Sequence, residues 1–269
     1  MIHQPSNQAA GNMKNGAPMG RETKRPTVNL SRAMERKLRL IGDANALQVA
    51  FDAEPLTSKC AGSGKTVDLE NRYVDTEDHR LRAKGLAFRI RKGAKGFRQT
   101  LKAGDDAHGA LLKRGEWEVS LEQDQLSLDA LPNAGRRLIP KNVRTSDLKT
   151  IFETSYRRRT QRLTVSGPNQ AAIIEAALDL GVIEAEGTTL PIAEIELELL
   201  EGEPVSLYQL ALELQDTAPL SIETRSKSNR AFGEIIGEPP AWRRATTPCI
   251  IPGNTVDQAM TAIFESCFD

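Results

Sequence analysis

An α+β fold built on antiparallel strands is predicted by three observations. First, Glu194-Ile195-Glu196-Leu197-Glu198-Leu199 alternates strictly, so a strand there sends three carboxylates to one face and three aliphatic side chains to the other. Second, other segments repeat the design with bases: Arg89 and Arg91 share a face, as do Arg98, Thr100 and Lys102. Third, amphipathic helical stretches at 44–53 and 205–214 interrupt the strands. Strands with one charged and one apolar face can close into a barrel, charged inside and covered by helices outside. An open antiparallel sheet with a wet polar face has the same periodicity, so the alternation does not tell inside from outside. Three carboxylates spaced about 6.5–7 Å along a strand repel unless they are wet, paired with bases or bridged by a cation.

The strands follow in order. The segment 1–27 is rich in Asn, Gln, Gly, Pro and Lys, without apolar periodicity, and reads as a disordered tail. Residues 32–40 form the first strand, with Ala33, Glu35, Lys37 and Arg39 on one face and Met34, Leu38 and Leu40 on the other. Asp43 can cap the helix that starts at Ala44. Gly62-Ser63-Gly64-Lys65-Thr66 resembles part of a phosphate loop, but Lys59 stands where the earlier Gly belongs and a strand, 68–76, follows in place of a helix. Residues 81–85 read as a short turn or helix. Strands at 86–92 and 97–102 flank a Gly93/Gly96 hairpin, and 114–119 places Arg114, Glu116 and Glu118 together, opposite Trp117 and Val119. A helical segment is expected from Leu126 to Leu131, then strands at 152–159 and 161–165. After the Gly167-Pro168 turn, Ala171 to Leu180 carries Glu175 and Asp179 on one face. Leu220 to Phe232 supplies the last strand and turn.

Bulk composition narrows the function. The 269 residues allow one large domain or two small ones, and 36 basic residues balance 36 acidic ones. A neutral chain gives no global attraction to nucleic acid or a membrane surface, so an anionic partner must be held by local clusters. Cys60, Cys249 and Cys267 lack a pairing or zinc-binding motif, which fits a reducing compartment. No apolar run reaches membrane-spanning length and no signal-peptide core is evident, so a cytoplasmic location is expected. His3, His79 and His108 sit in the tail or in loops and read as surface residues.

The ordered set of blocks resembles the CYTH family, the triphosphate tunnel metalloenzymes, and in particular its bacterial inorganic triphosphatase branch. The blocks are Met34-Glu35-Arg36-Lys37, Tyr73-Val74-Asp75-Thr76 with Leu81 and Gly85, Phe88-Arg89-Ile90-Arg91, and Gln99-Thr100-Leu101-Lys102. They continue with Arg114-Gly115-Glu116-Trp117-Glu118, Phe152-Glu153-Thr154-Ser155, residues 191–199 and Ser226-Lys227. The resemblance implies an eight-stranded antiparallel tunnel over 28–237, with helices packed outside, that hydrolyses inorganic triphosphate with magnesium or manganese. It implies metal binding by Glu35, Glu196 and Glu198, with Glu194 nearby and Glu116 and Glu118 as further tunnel acids. Lys37, Arg89, Arg91, Lys102, Arg158, Lys227 and Arg230 would grip phosphates, while Arg157 and Arg159 face outward. Lys37 and Glu35 carry the catalytic assignment, Lys37 helping to activate water. Residues 238–269 resemble a linker and the opening helix of a CHAD domain, with an apolar stripe of Val256, Met260, Ile263, Phe264 and Cys267.

Two departures from the family pattern matter. The first strand of the family reads Glu-x-Glu-x-Lys, and this chain has Ala33 at the first Glu, which removes one metal-directed carboxylate. Ser226-Lys227-Ser228-Asn229-Arg230-Ala231 lacks the usual Glu and Gly near its end. The alternatives are a catalytically impaired binder of triphosphate or polyphosphate, or an enzyme acting on thiamine triphosphate or nucleoside triphosphates. Cyclic AMP formation is the least expected, since no adenine pocket is legible.

Overall fold

The computed structural model describes residues 28–29, 35–93, 96–108, 111–237 and 247–268. The expected tail and Ala33 lie outside the described residues. Eight long strands dominate: β2 (Glu35–Ile41), β3 (Lys65–Asp75), β4 (Leu86–Gly93), β5 (Gly96–His108), β6 (Leu111–Leu121), β7 (Lys149–Val165), β8 (Ala172–Ala185) and β9 (Thr188–Glu201). Two short strands, β1 (Val28–Asn29) on β6 and β10 (Ser221–Ile222) on β2, bring the antiparallel sheet to ten. Neighbours run β6-β5-β4-β3-β7-β8-β9-β2, and a short β2–β6 pairing, from Glu35 opposite Arg114 to Lys37 opposite Leu112, joins the ends of that series.

The helices are α1 (Ala44–Asp52), α2 (Leu56–Lys59), α3 (Asn133–Arg136), α4 (Val205–Thr217), α5 (Lys227–Arg230) and α6 (Val256–Phe268). Of these, α1, α2 and α4 cover an outer, apolar face, α5 brings Lys227 to the cavity, and α6 leaves Val256, Met260, Ile263 and Phe264 exposed. The Asp43 carboxylate caps α1 by accepting from the amides of Asn45 and Ala46 at 2.9 and 3.2 Å. Leu47 and Phe51 of α1 and Leu207, Leu210 and Leu214 of α4 form one core with Leu38, Leu40, Ile195 and Leu197. The aliphatic half of the Ile195-Leu197 alternation therefore points outward into helices, which leaves the carboxylate half inside. A second outer core joins Val74, Phe88 and Leu101 to Leu128, Leu131, Ile139 and Val143. The inner face carries a third cluster, where Tyr73, Phe152 and Phe232 stack beside Tyr156, Ile183 and Ile192.

Three sequence expectations change. The helix expected from Leu126 is replaced by turns, and helix is confined to α3, because Pro132 and Pro140 bracket that stretch. The strands expected at 152–159 and 161–165 are one 17-residue strand, β7. Beside it, Gly181 of β8 lies so close that a Cβ would fall 2.1 Å from the Ser155 carbonyl oxygen, so no side chain fits there. The last strand shrinks to β10. The Ser226 hydroxyl accepts from the Asn229 amide and starts α5, which continues into a wider helical turn over Ala231–Ile235. Lys227 and Arg230 thus come from a helical turn packed across the strands. The Gly62–Thr66 stretch leads directly into β3, in keeping with the rejected phosphate loop.

Candidate active site

Alternation on each strand sends the charged side chains into one cavity. Its lining includes Lys37 and Arg39 from β2, Arg89 and Arg91 from β4, Lys102 from β5, Arg158 from β7 and Lys227 from α5. Those seven bases face four carboxylates, Glu116 and Glu118 from β6 and Glu196 and Glu198 from β9. Tyr73, Tyr156, Ser226 and Ser228 complete most of the polar wall. The excess of bases makes the cavity a trap for an anion with several charges.

One wall is neutralised from within. Asp179, Glu194 and Glu196 hold carboxylate oxygens within 4.8 Å of one another, and all three are buried. Strand register brings them together: Asp179 lies opposite Glu194, and Glu196 opposite Arg39. Arg158 donates to both oxygens of Asp179 at 2.7 Å and to Glu196 at 2.6 Å. Lys227 donates to Asp179 at 2.7 Å and to Glu194 at 2.5 Å, with its ammonium 4.9 Å from the Tyr156 ring centre. Arg39 donates to Glu194 at 3.0 Å and Glu196 at 3.1 Å, and Lys37 to Glu196 at 3.2 Å. Burial pushes the Glu196 carboxyl up, but the charges of Lys227, Lys37, Arg158 and Arg39 outweigh it and hold the group well below the usual carboxylate range. Asp179 is lowered in the same way: burial opposes, and Lys227 and Arg158 prevail.

On the other wall Glu116 and Glu118 pair with Lys102 and Arg98 at 3.2 and 2.7 Å, and Arg89 and Arg91 have no acid so close among the described residues. Arg89 is nearly buried, its Nε has no hydrogen-bond partner, and its Nη1 donates to the Tyr73 hydroxyl at 3.4 Å. The nearest Glu116 oxygen to its guanidinium is 4.0 Å away. Arg91 donates to the Asn71 side-chain oxygen at 2.9 Å. Burial, and next the charge of Arg89, pull Arg91 below the usual arginine value, though arginine stays ionised. An anion arriving here relieves both residues.

Most residues singled out in the sequence meet in this cavity: Lys37, Arg89, Arg91, Lys102, Arg158, Lys227, Glu116, Glu118, Glu196 and Glu198 all line it. Glu194 and Arg230 stand behind the lining, paired at 3.4 Å, and Arg230 also donates to the Pro191 carbonyl at 2.6 Å. Glu35 falls on β2 opposite Arg114, and its side chain lies outside the described residues. Arg157 donates to Asp68 and Arg159 to Asp52 on the outer surface, as expected. Sequence reasoning passed over Arg39, Asp179, Tyr73 and Tyr156. The alternation already put Arg39 on the Lys37 face, and Asp179 was noted on a strand face without a partner. Only the β8–β9 register shows that Asp179 meets Glu194.

Hard oxygen donors suit a magnesium-like cation. Among the described carboxylates, Asp179, Glu194 and Glu196 converge closely enough for one ion, whereas Glu116, Glu118 and Glu198 face the cavity with side chains 25%, 27% and 33% exposed. The buried triad already has five basic partners: Lys37, Arg39, Arg158, Lys227 and Arg230.

Fold and cavity together define a protein whose antiparallel strands surround a cavity lined mainly by bases. The CYTH domain matches residues 31–232, and the chain belongs to the CYTH family. The inorganic triphosphatase of Haemophilus influenzae is 29% identical over 165 residues, 61% of this chain and 45% of that protein. The matched stretch therefore spans less than half of that relative. A Hippeastrum protein, named for adenylyl cyclase and described by a dominant triphosphatase activity, superposes with a TM-score of 0.50 at 18% identity. That match covers 74% of this chain and 94% of the other, and at such identity it speaks for the fold alone.

Proposed function

We propose that the chain hydrolyses inorganic triphosphate to phosphate and diphosphate, with magnesium or manganese as the divalent cation. The observation that carries this reading is the surplus of bases among the described residues lining the cavity, seven against four carboxylates, with the Arg89 Nε unpartnered. Guanidinium groups match phosphate oxygens in pairs and ammonium groups serve as point charges, so a short chain of phosphates uses this wall fully. Family membership and the likeness to the H. influenzae enzyme support it.

In this reading Arg89, Arg91, Lys102, Arg158 and Lys227 bind and orient the phosphate oxygens. Lys37 lies 3.2 Å from Glu196 and 3.4 Å from Glu198, so it is an ammonium held between two acids and not itself a base. It acts on water through Glu198, the more exposed of the two. The water oxygen attacks a terminal phosphorus in line, and the bond from that phosphorus to its bridging oxygen breaks. Diphosphate leaves with the bridging oxygen, and the proton of the water passes to Glu198. The bases around the leaving group take up its charge, which is where most of the acceleration of phosphoryl transfer arises. A divalent cation, when bound, adds charge neutralisation on the phosphate oxygens. Glu116, Glu118 and Glu198, with Glu35, would hold it. Triphosphate is the partner in this reading, with no nucleic acid or membrane. A cytoplasmic site suits it, with Cys60 and Cys249 as free thiols. Residues 238–269 are read as a linker and the first helix of a CHAD-like domain.

A second reading, a binder of triphosphate or polyphosphate with impaired turnover, is favoured by the Ala33 departure and by the engagement of Glu196 with four bases. Phosphate release from tripolyphosphate, ATP and thiamine triphosphate, with and without magnesium or manganese, separates the two. Metal-dependent release fastest from tripolyphosphate is expected. Tight calorimetric binding of tripolyphosphate without release would replace the hydrolase by the binder, and faster release from ATP or thiamine triphosphate would change the substrate.

A further inference from the structure

Arg39 has no role in the proposed hydrolysis, yet it is 4% exposed and pairs with two members of the acidic triad, Glu194 and Glu196. Its Nε donates to Glu194 Oε1 at 3.0 Å, its Nη2 to Glu196 Oε1 at 3.1 Å, and its Nη1 to the Arg225 carbonyl at 2.5 Å. All three guanidinium nitrogens are engaged. The same two Oε1 atoms also face Lys227 Nζ, at 2.5 Å for Glu194 and 3.5 Å for Glu196. A divalent ion bridging Glu194 and Glu196 needs these oxygens at about 2.0–2.6 Å. It would have to enter between two cations already seated on them.

We propose that Arg39, beside Lys227, is a resident cation of the Glu194–Glu196 edge of the triad, a positioning residue that occupies the place of a metal bridging those two glutamates. Its two arms fix one oxygen of each glutamate, which leaves Glu196 Oε2 to meet Lys37 and Arg158 at the cavity wall. Its third arm ties β2 to the Arg225 carbonyl, two residues before Lys227, so it also helps set the helical turn that carries Lys227. The three carboxylates are then met by five bases with no divalent ion bound there. Any divalent ion that works in the cavity is held elsewhere, by the exposed carboxylates and the phosphate chain itself. This last consequence rests on the triphosphate reading; the occupancy of the triad by Arg39 does not.

The test is manganese binding to the free protein, without triphosphate, by titration calorimetry and by the manganese electron paramagnetic resonance signal. Manganese affinity of the parent is expected to be unchanged by Glu194→Gln, because no manganese sits on that oxygen. Arg39→Met alone leaves Lys227 on both oxygens, so the double variant Arg39→Met/Lys227→Met vacates the place between the two glutamates and is expected to tighten manganese binding at least tenfold, an increase that Glu194→Gln then removes. Arg39→Lys keeps a cation there and is expected to behave as the parent. A tenfold loss of manganese affinity in Glu194→Gln alone would overturn the proposal, whatever the other variants do. So would an Arg39→Met/Lys227→Met variant that folds and binds manganese no better than the parent. If that double variant folds only when manganese is present, the ion has taken the place of the two cations, which supports the proposal. If it stays unfolded, the parent and Glu194→Gln comparison decides. Tripolyphosphate binding by the parent, measured in parallel with EDTA, tests the triphosphate reading separately.

Discussion

The two walls of the cavity are built from the same kinds of residue and use them differently. On the wall of β7, β8, β9 and β2, each acid of the triad meets at least two bases, and the ions are dry. On the wall of β3 to β6, Arg89 and Arg91 lean on a tyrosine hydroxyl and an asparagine oxygen. The first wall spends its charge on itself and works as a frame. The second keeps unneutralised charge in a buried place, which costs stability and is recovered when an anion arrives. Arginines thus differ in their surroundings according to whether a carboxylate lies across the register, as Asp179 does from Arg158 and as none does from Arg89.

The sharpest way to break that contrast is to remove one acid from the frame. Asp179→Asn keeps the shape and leaves Arg158 and Lys227 facing a neutral amide. Taking one partner from a buried ion cluster costs about 3–5 kcal/mol, read as a lower urea midpoint at unchanged slope. A loss smaller than about 1 kcal/mol would mean that the frame is wet and its ions screened.

Arg89→Ala is the opposite case, and its large effect falls on binding. It removes a charge-assisted contact worth about 1.5–3 kcal/mol, so the tripolyphosphate Kd should rise roughly tenfold to 150-fold. The melting temperature should hold, because no acid is left unpaired. Unchanged affinity with a lowered melting temperature would make Arg89 part of the frame and erase the distinction between the walls.

This contrast also marks what the sequence could and could not tell. Period-two alternation was enough to put Glu196, Glu198, Arg89, Arg91 and Lys102 on common faces, since side-chain direction along a strand is local geometry. The resemblance to the CYTH family then set those faces inside. Pairing across strands is not local. Asp179 lies opposite Glu194, 15 positions along the chain, and Arg39 opposite Glu196, far across the chain, and only the registers join them. The end of the domain was misread for a local reason: Leu220 to Phe232 has strand-like residues, but Ser226 caps a helical turn, and the cap decided. Pro132 and Pro140 were visible signals that the segment from Leu126 would not stay helical.

Acid should loosen the frame only once the pH falls below the usual carboxylate range. Glu196 and Asp179 both titrate below their ordinary values in the folded protein, the net result of neighbouring bases overcoming burial. Their contribution to stability is therefore complete above the unfolded carboxylate range, about pH 4, and is lost as pH falls through the lower folded values. Urea midpoints measured from neutral pH downward should stay level to about pH 4 and then decline. Asp179→Asn should decline less steeply, having one such group fewer. A parent that loses stability between pH 7 and 5 would place the controlling groups outside this cluster.

The smallest expected effect is the most direct check on which face is inside. Arg157 and Arg158 are neighbours on β7, so strand geometry points them to opposite faces. Arg158 enters the cavity and meets Asp179, whereas Arg157 donates to Asp68 at 2.9 Å on the outer surface. The Arg157 pair has side chains 65% and 72% exposed, where water and salt screen the attraction. Arg157→Ala should leave both the melting temperature and the tripolyphosphate affinity at parental values. Arg158→Ala should change both, because it strips a partner from Asp179 and a phosphate-facing base from the cavity in one step. The two variants differ by one position and remove the same side chain, so composition and net charge are identical between them. A global effect of lost positive charge would weaken both equally and would fade together as salt is raised. A drop confined to Arg158→Ala, persisting in salt, follows from a charge held inside the strands and from nothing else that distinguishes the pair.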